Sequence, residues 1–389
     1  MAKRRGNHEG TIRQRKNGLW EAIVTIGRDP VTGKLKRVSF YAPTQKEVVK
    51  KAAQARADLT RGTFVAPEKL TLGAWLDTWL KVYKAPTTRP LTLSGYARIV
   101  KRHLQPALGH IQLQALKPEH IQHYCNDKAR QGLDASTIRQ HFRVLSNALR
   151  QAEKIGRVSR NVARLVDPPR VARKERSTLT IAQVRTDLLT AIQGDRLAAA
   201  YVTFFLTGLR RGELLGLRWR DIDFETGVLY VRQILERVEN PSGTGPKTHL
   251  AFLEPKTARS RRTVALPAEC VTALRQHRAR QAEERLRLGA AYQDHGLVFA
   301  QANGRPIDPY SMNRAFQTVL KRAGLPAIRL HDARHTYATW MLQTGVPLKV
   351  VSDQLGHTSI AITGDIYAHV TQEVAQHAAS ALDQAFKSL

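Results

Sequence analysis

The sequence has little cysteine, little acid and no long apolar run, and each shortage closes off a class of protein. Two cysteines, Cys125 and Cys270, stand far apart among 389 residues, with no CxxC or Cys-His spacing around them. That excludes a disulfide framework and a zinc knuckle, and it fits a reducing compartment. The longest largely apolar stretch, Leu197 to Leu206, falls well short of the ~18 residues that suggest a membrane span. The basic N-terminus has no apolar segment behind it of the kind that marks a signal peptide. The expectation is a cytoplasmic protein with no membrane partner.

The shortage of acid is the most informative. Asp and Glu number 32 against 62 Lys and Arg, a formal net charge of +30. The excess is not confined to a tail: residues 1–62 carry 15 Lys/Arg against 5 Asp/Glu, residues 63–172 carry 18 against 7, and the remainder 29 against 20. Charge this one-sided repels itself in a compact chain, so it points to a polyanionic partner. Hydrophobic residues make up 42%, ordinary for folded protein, and the length suggests two or three domains.

Residues 11 to 41 read as strands with turns. Trp20, Ala22, Val24 and Ile26 alternate with their neighbours, and Asp29 to Lys34 supplies turn residues. Thr44-Gln45-Lys46-Glu47 matches a capping box, opening a helix through Val48, Ala52, Ala55 and Leu59 to Gly62. The result is a three-stranded sheet backed by one helix. Its basic residues Arg13, Arg15, Lys34, Lys36 and Arg37 suit a sheet laid in a DNA groove, although lysines also protect sheet edges.

Leu72, Trp75, Leu76, Trp79, Leu80 and Tyr83 form an apolar stripe at helical spacing. Further helices are expected at 92–104, 118–130 with Pro118 in its first turn, and 136–154 with Ser136 as N-cap. Together they predict a helical bundle. Residues 161–177, with Pro168-Pro169 and five Arg/Lys, read as a basic linker. Beyond it come a capped helix near Thr180, an all-round apolar helix from Leu197 to Leu206 closed by Gly208, and a strand from Val228 to Gln233. A hairpin of Leu250–Glu254 with Thr263–Leu266 carries Lys256 near its turn, and helices follow at Glu269–Leu288 and Pro309–Ala323. The fold class is multidomain, mainly α with small β-sheets, ending in an α+β domain.

Chemistry concentrates near the C-terminus. Asp332 as N-cap predicts a helix from Ala333 to Gln343, with His331 at its entrance and Arg334 one turn on. Gly356 stops the next helix and leaves His357 at its cap, and a third helix carries Tyr367. Arg210, just past Gly208, is displayed at a second junction. Two arginines converging on one anion suit a phosphodiester, whose nonbridging oxygens match the guanidinium fork. Tyr367 is then the candidate nucleophile, needing a cationic setting or a base to lose its proton. His331 serves as that base, His357 as a phosphate donor and Lys256 as the acid for the departing 5′ oxygen. Such a site uses neither metal nor cofactor. The rival is a metal site on His331 and His335, spaced i, i+4, with His357 or His369 as a third ligand. Arg334 between the pair weighs against it.

The stretches Thr207-Gly208-Leu209-Arg210-Arg211-Gly212-Glu213, Glu254-Pro255-Lys256-Thr257, Leu330-His331-Asp332-Ala333-Arg334-His335-Thr336, Leu355-Gly356-His357 and Ile366-Tyr367-Ala368-His369 resemble, in order, the catalytic boxes of the tyrosine recombinases. The phage and conjugative-element integrases are the nearest in pattern. The resemblance implies an arm-site DNA-binding domain at 1–62, a core-site-binding helical domain at 63–160, the basic linker at 161–177 and a catalytic domain at 178–389. It implies that Arg210, rather than Arg211, and Arg334 clamp the phosphate, with Lys256 as acid, His331 as base or proton partner, His357 as donor and Tyr367 as the nucleophile of a 3′-phosphotyrosine. The activity implied is site-specific DNA recombination that integrates or excises a mobile element. The implied partners are double-stranded DNA at core and arm sites, three further copies in a homotetramer on DNA, and accessory bending or excision factors. Val374, Ala378, Leu382 and Phe386 form a C-terminal stripe that suits a helix donated to a neighbour or packed at home. Gly364 is a mild departure from good helix formers. A type IB topoisomerase-like relaxing enzyme and a non-catalytic DNA-binding regulator of the same fold are the alternatives.

Overall fold

Several helix starts in this chain are set by polar side chains at the first turn. The Thr44 hydroxyl accepts the Glu47 amide at 3.3 Å, Thr71 accepts Ala74 at 3.3 Å, and Asp308 accepts Tyr310 at 2.7 Å. Thr180 and Gln183 cap each other reciprocally, hydroxyl to amide at 3.1 Å and side-chain oxygen to amide at 2.9 Å. Each satisfies amides that the helix itself leaves without acceptors. The expected cap at Ser136 is corrected: the helix begins at Ala135, and Asp134 is the cap, its carboxylate accepting the Ser136 amide at 2.8 Å. Asp134 has the extended backbone of a cap residue, which lets its carboxylate reach the Ser136 amide.

The structure is a computed structural model that describes residues 11–30, 32–171, 178–240, 246–255, 260–357 and 359–367, with 379, 383, 386 and 387, apart from the side chains of 362 and 365–367. The chain is mainly helical with small antiparallel sheets, and it divides into two compact units, Met1–Arg173 and Lys174–Leu389.

In the first unit, β1 (Thr11–Gln14), β2 (Trp20–Arg28) and β3 (Leu35–Ala42) form an antiparallel sheet in that order. Ala22 and Val24 face α1 (Gln45–Thr60) and are buried with its Val48 and Ala52. Glu21, on the alternate face, is also buried. Arg13 donates to it at 2.8 Å, Arg15 at 3.1 Å and Tyr41 at 2.9 Å, and these donors outweigh the cost of burial to hold its carboxyl near 2. Helices follow: α2 (Leu72–Thr78), prolonged by a π turn to Lys84; α3 (Pro90–Ile99), running on through a second π turn into α4 (Gln105–Leu108); α5 (Pro118–Arg130) and α6 (Ala135–Lys154). Trp75, Leu76 and Trp79 from the expected stripe lie at the centre of their core, and the Trp75 indole donates to the Ala148 carbonyl at 3.0 Å.

The second unit opens with a π turn (Gln183–Leu188) that runs into α7 (Leu189–Ala191). The apolar α8 (Ala198–Thr207) is buried as its composition requires, packed against α10 (Ala268–Leu288) and α12 (Leu330–Gln343). Between them lie α9 (Arg211–Leu215) and two sheets. One has the order β4 (Ile222–Asp223), β5 (Val228–Tyr230), β8 (Thr263–Ala265), and the other pairs β6 (Ile234–Glu239) with β7 (Thr248–Leu253). The expected hairpin is therefore corrected. The strand at 250–254 pairs backwards with β6, Ile234 opposite Leu253, while β8 pairs with β5, Leu229 opposite Val264. Leu229 and Val264 are both fully buried, so it is the shared core, not nearness in sequence, that sets the pairing. The helices α11 (Pro309–Arg322), α13 (Leu348–Leu355) and α14 (Ile360–Tyr367) complete the unit.

Gly212 and Gly216 let α9 and β6 meet backbone to backbone. A Cβ on Gly216 would lie 2.9 Å from the Cα and carbonyl carbon of Ile234. Gly216→Ala is expected to destabilise the second unit by roughly 1–3 kcal/mol, measured by urea denaturation.

Candidate active site

Gly208 closes α8 with φ +60°, a conformation that favours glycine, and a Cβ there would meet the Tyr337 ring at 2.4 Å. The sharp exit throws Arg210 to the N-cap of α9. Its amide donates to Glu213 Oε2 at 2.8 Å, its Nη1 to Glu213 Oε1 at 2.7 Å and its Nη2 to the Gly356 carbonyl at 3.1 Å. Arg211 turns elsewhere and reaches the Pro309 carbonyl at 3.4 Å. Of the two neighbours, Arg210 is the one brought to the segment bearing His357.

Asp332 is not the cap of α12. The helix starts at Leu330 with Arg329 as cap, and Asp332, in the first turn, accepts the Arg329 amide at 2.9 Å and its guanidinium at 3.0 Å. An acid reaching back to the capping amide does the same electrostatic work from inside the helix. The shift puts His331 in the first turn, where it is exposed, with its ring edge-on to the buried His335 at 5.1 Å. Arg334 is only 2% exposed. Its Nη1 donates to the Gly208 carbonyl at 2.7 Å and its Nη2 to the Leu355 carbonyl.

The end of α13 is where these side chains meet. Gly356 turns the chain at φ +62°, and three successive carbonyls there are taken by three different arginines. Gln354 accepts from Arg262 Nε at 2.5 Å, Leu355 from Arg334 and Gly356 from Arg210. The negative end of a helix stabilises cations, and Glu213 supplies the rest. Its two oxygens accept from Arg210 and from Arg262 Nη1 and Nη2 at 3.1 and 2.9 Å. Burial would raise the Glu213 carboxyl, but the Arg262 hydrogen bond and the charges of Arg262, Arg210 and Arg334 hold it at about 2.

His357 follows directly. Its Nδ1 lies 2.8 Å from the hydroxyl of the buried Thr363. Burial, and then the charges of Arg334, Arg210, Arg262 and His331, push its imidazolium down to about 4, so the ring is neutral at ordinary pH. Tyr367 is the last residue of α14, eleven residues from the cap of α13 at Gly356. Its side chain, the Lys256 segment, His369 and the stripe residues Val374, Ala378 and Leu382 lie outside the described residues. Among the described residues no three His, Cys, Asp or Glu side chains come together as metal ligands.

Glu213, Arg262 and Thr363 escaped the sequence reading. Glu213 carried a signal, an acid three residues after Arg210 at a helix start. Arg262 carried none, being one of five Lys/Arg between 247 and 262.

Residues 180–373 match the model of the phage integrase family, and residues 71–129 match the phage integrase N-terminal SAM-like domain. A tyrosine recombinase XerC-like protein of Caldanaerobacter subterraneus subsp. tengcongensis is 34% identical over 384 residues, 95% of this chain and 98% of the relative. An integrase of Streptomyces ambofaciens is 31% identical over 100% of this chain and 99% of its own. The chain belongs to the tyrosine recombinase family. It is a site-specific recombinase by that membership. Its fold is also that of the Tn1549 transposon integrase solved with a circular intermediate DNA, with TM-score 0.68, 24% identity, and cover of 80% of this chain and 99% of that one.

The two perturbed groups fix the sign of this site's contribution to the recombinase's acid response. A histidine whose folded value is depressed takes up its proton more readily when unfolded, so stability falls as pH drops from about 6.5 towards 4; Glu213 adds a further loss from about 4.5 towards 2. His357→Gln is expected to reduce the slope of unfolding free energy against pH between 6.5 and 4 by up to ~1.4 kcal/mol per pH unit. Denaturant titrations at stepped pH measure it, and an unchanged slope would show that His357 is not held neutral.

Proposed function

We propose that this recombinase is a DNA integrase that cleaves and rejoins duplex DNA through a 3′-phosphotyrosine at Tyr367. The observation that carries the reading is the convergence of Arg210, Arg334 and His357 on one helix end, from segments up to 147 residues apart, with α14 and its terminal tyrosine next in the chain. A phosphodiester held there meets the half-exposed Arg210 guanidinium first. Arg334 acts from beneath, through its charge and its hold on the Gly208 and Leu355 carbonyls. Where the Thr363 hydroxyl donates to Nδ1, the His357 proton sits on Nε2, available to a phosphate oxygen.

The Tyr367 oxygen attacks phosphorus, and the bond from phosphorus to the 5′ oxygen breaks. His331 takes the phenol proton and Lys256 returns one to the leaving oxygen. A 5′ hydroxyl of the partner strand reverses the step, with four copies exchanging strands in pairs. No metal or cofactor enters this scheme. The helical domain reads the core site, and the N-terminal sheet, with Arg13 and Arg15 side by side on Glu21, reads an arm site. Accessory bending or excision factors complete the complex.

On a nicked suicide substrate the chain should form a covalent protein–DNA adduct, undiminished in chelator, and Tyr367→Phe should abolish it. An adduct that survives the substitution, or that needs added divalent metal, would refute the scheme. Lys36→Ala with Arg37→Ala, both exposed on β3, should weaken arm-site binding and lower its salt slope by about 2, leaving core-site binding unchanged in filter-binding titrations. Equal loss at both sites would remove the separate arm module.

A further inference from the structure

Three candidate catalytic segments are far apart in sequence: the Arg210 turn, the strand entered after Lys256, and the turn bearing His357. One side chain touches all three. Arg262, six residues beyond Lys256, is 7% exposed. Its Nε donates to the Gln354 carbonyl at 2.5 Å, its Nη1 to Glu213 Oε1 at 3.1 Å and to the Ser260 carbonyl at 3.4 Å, and its Nη2 to Glu213 Oε2 at 2.9 Å. Every nitrogen of the guanidinium is thus engaged within the protein, so it is not built to receive a phosphate. Glu213 in turn holds Arg210 at 2.7 Å, and Gln354 lies two residues before Gly356, whose carbonyl also receives Arg210.

We propose that Arg262 is a positioning residue of the recombinase site: by locking Glu213 to the end of α13, it holds Arg210 and His357 at the fixed separation that one phosphate requires. The proposal rests on the phosphotyrosine reading given above. Only a planar fork can serve an Nε and two Nη acceptors at once, so lysine cannot replace it. Misplacement of a clamp by about 1 Å costs on the order of 100-fold in rate.

The test uses the full chain with Arg262→Met and Arg262→Lys. Single-turnover adduct formation on the nicked substrate should slow about 100-fold in both, while core-site affinity stays within about threefold. Combining Arg262→Met with Glu213→Gln should slow the reaction little beyond the worse single variant, since both break one link. Losing the charge in Arg262→Met moves the His357 titration by itself, so positioning is read in Arg262→Lys, which keeps the charge. There the His357 Cε1 proton, assigned by its loss in His357→Gln, should still titrate at a shifted pH, because an ammonium cannot hold Glu213 and the Gln354 carbonyl together. Adduct rates within about threefold of the parent in either variant, or an unmoved His357 titration in a folded Arg262→Lys, would overturn the proposal. If Arg262→Met does not fold, Arg262→Lys, which keeps the charge, carries the kinetic arm. A parent chain that forms no adduct defeats the phosphotyrosine reading instead, and the His357 titration then decides the fate of Arg262 by itself.

Discussion

Packing three arginines against one helix end is electrostatically unfavourable unless something negative is buried with them, and Glu213 is that group. At 3% exposure it has given up most of its hydration, a cost of several kcal/mol that only close ion pairs with good hydrogen bonds offset. It has them in Arg210 and Arg262, while the carbonyls of Gln354, Leu355 and Gly356 add the negative end of α13. With the buried cations so balanced, the outward side of Arg210 can stay available to an anion. Removing the carboxylate would leave two guanidinium groups facing each other, so the arrangement stands or falls as a unit.

The backbone had to be shaped before the charges could meet. Gly208 and Gly356 both sit at positive φ, each ending a helix and turning its carbonyl towards an arginine. At Gly208 there is also no room, because the Tyr337 ring occupies the place of a side chain. Gly216 performs a third service by admitting β6 against α9, which seats the helix that carries Glu213.

The same economy of acid recurs across the molecule. Glu21 serves Arg13 and Arg15 in the N-terminal sheet, Asp221 serves Arg218 and Arg232, and Asp332 serves Arg329 twice. A chain with a net charge of +30 folds because some of its few carboxylates each hold more than one donor. The net excess of lysines and arginines supplies the field that draws in a polyanion.

Much was legible from sequence, for reasons that are local. The Thr44 cap, the stripe of Trp75, Leu76 and Trp79, the buried α8 and the glycine stops at Gly208 and Gly356 follow from dihedral preference and helical spacing, which short stretches contain in full. The meeting of Arg210, Arg334 and His357 was expected from the recognisable stretches that hold them, with Arg210 and His357 at helix ends and Arg334 inside α12. Strand pairing could not be read, since β7 with β6 and β8 with β5 are chosen by burial of Leu229 and Val264 in a core drawn from the whole unit. The depth of Arg334 and the part played by Arg262 were equally invisible. A guanidinium looks the same in sequence whether it faces water or lies under a helix end, and only the tertiary structure, by bringing Glu213 and three carbonyls to it, settles which.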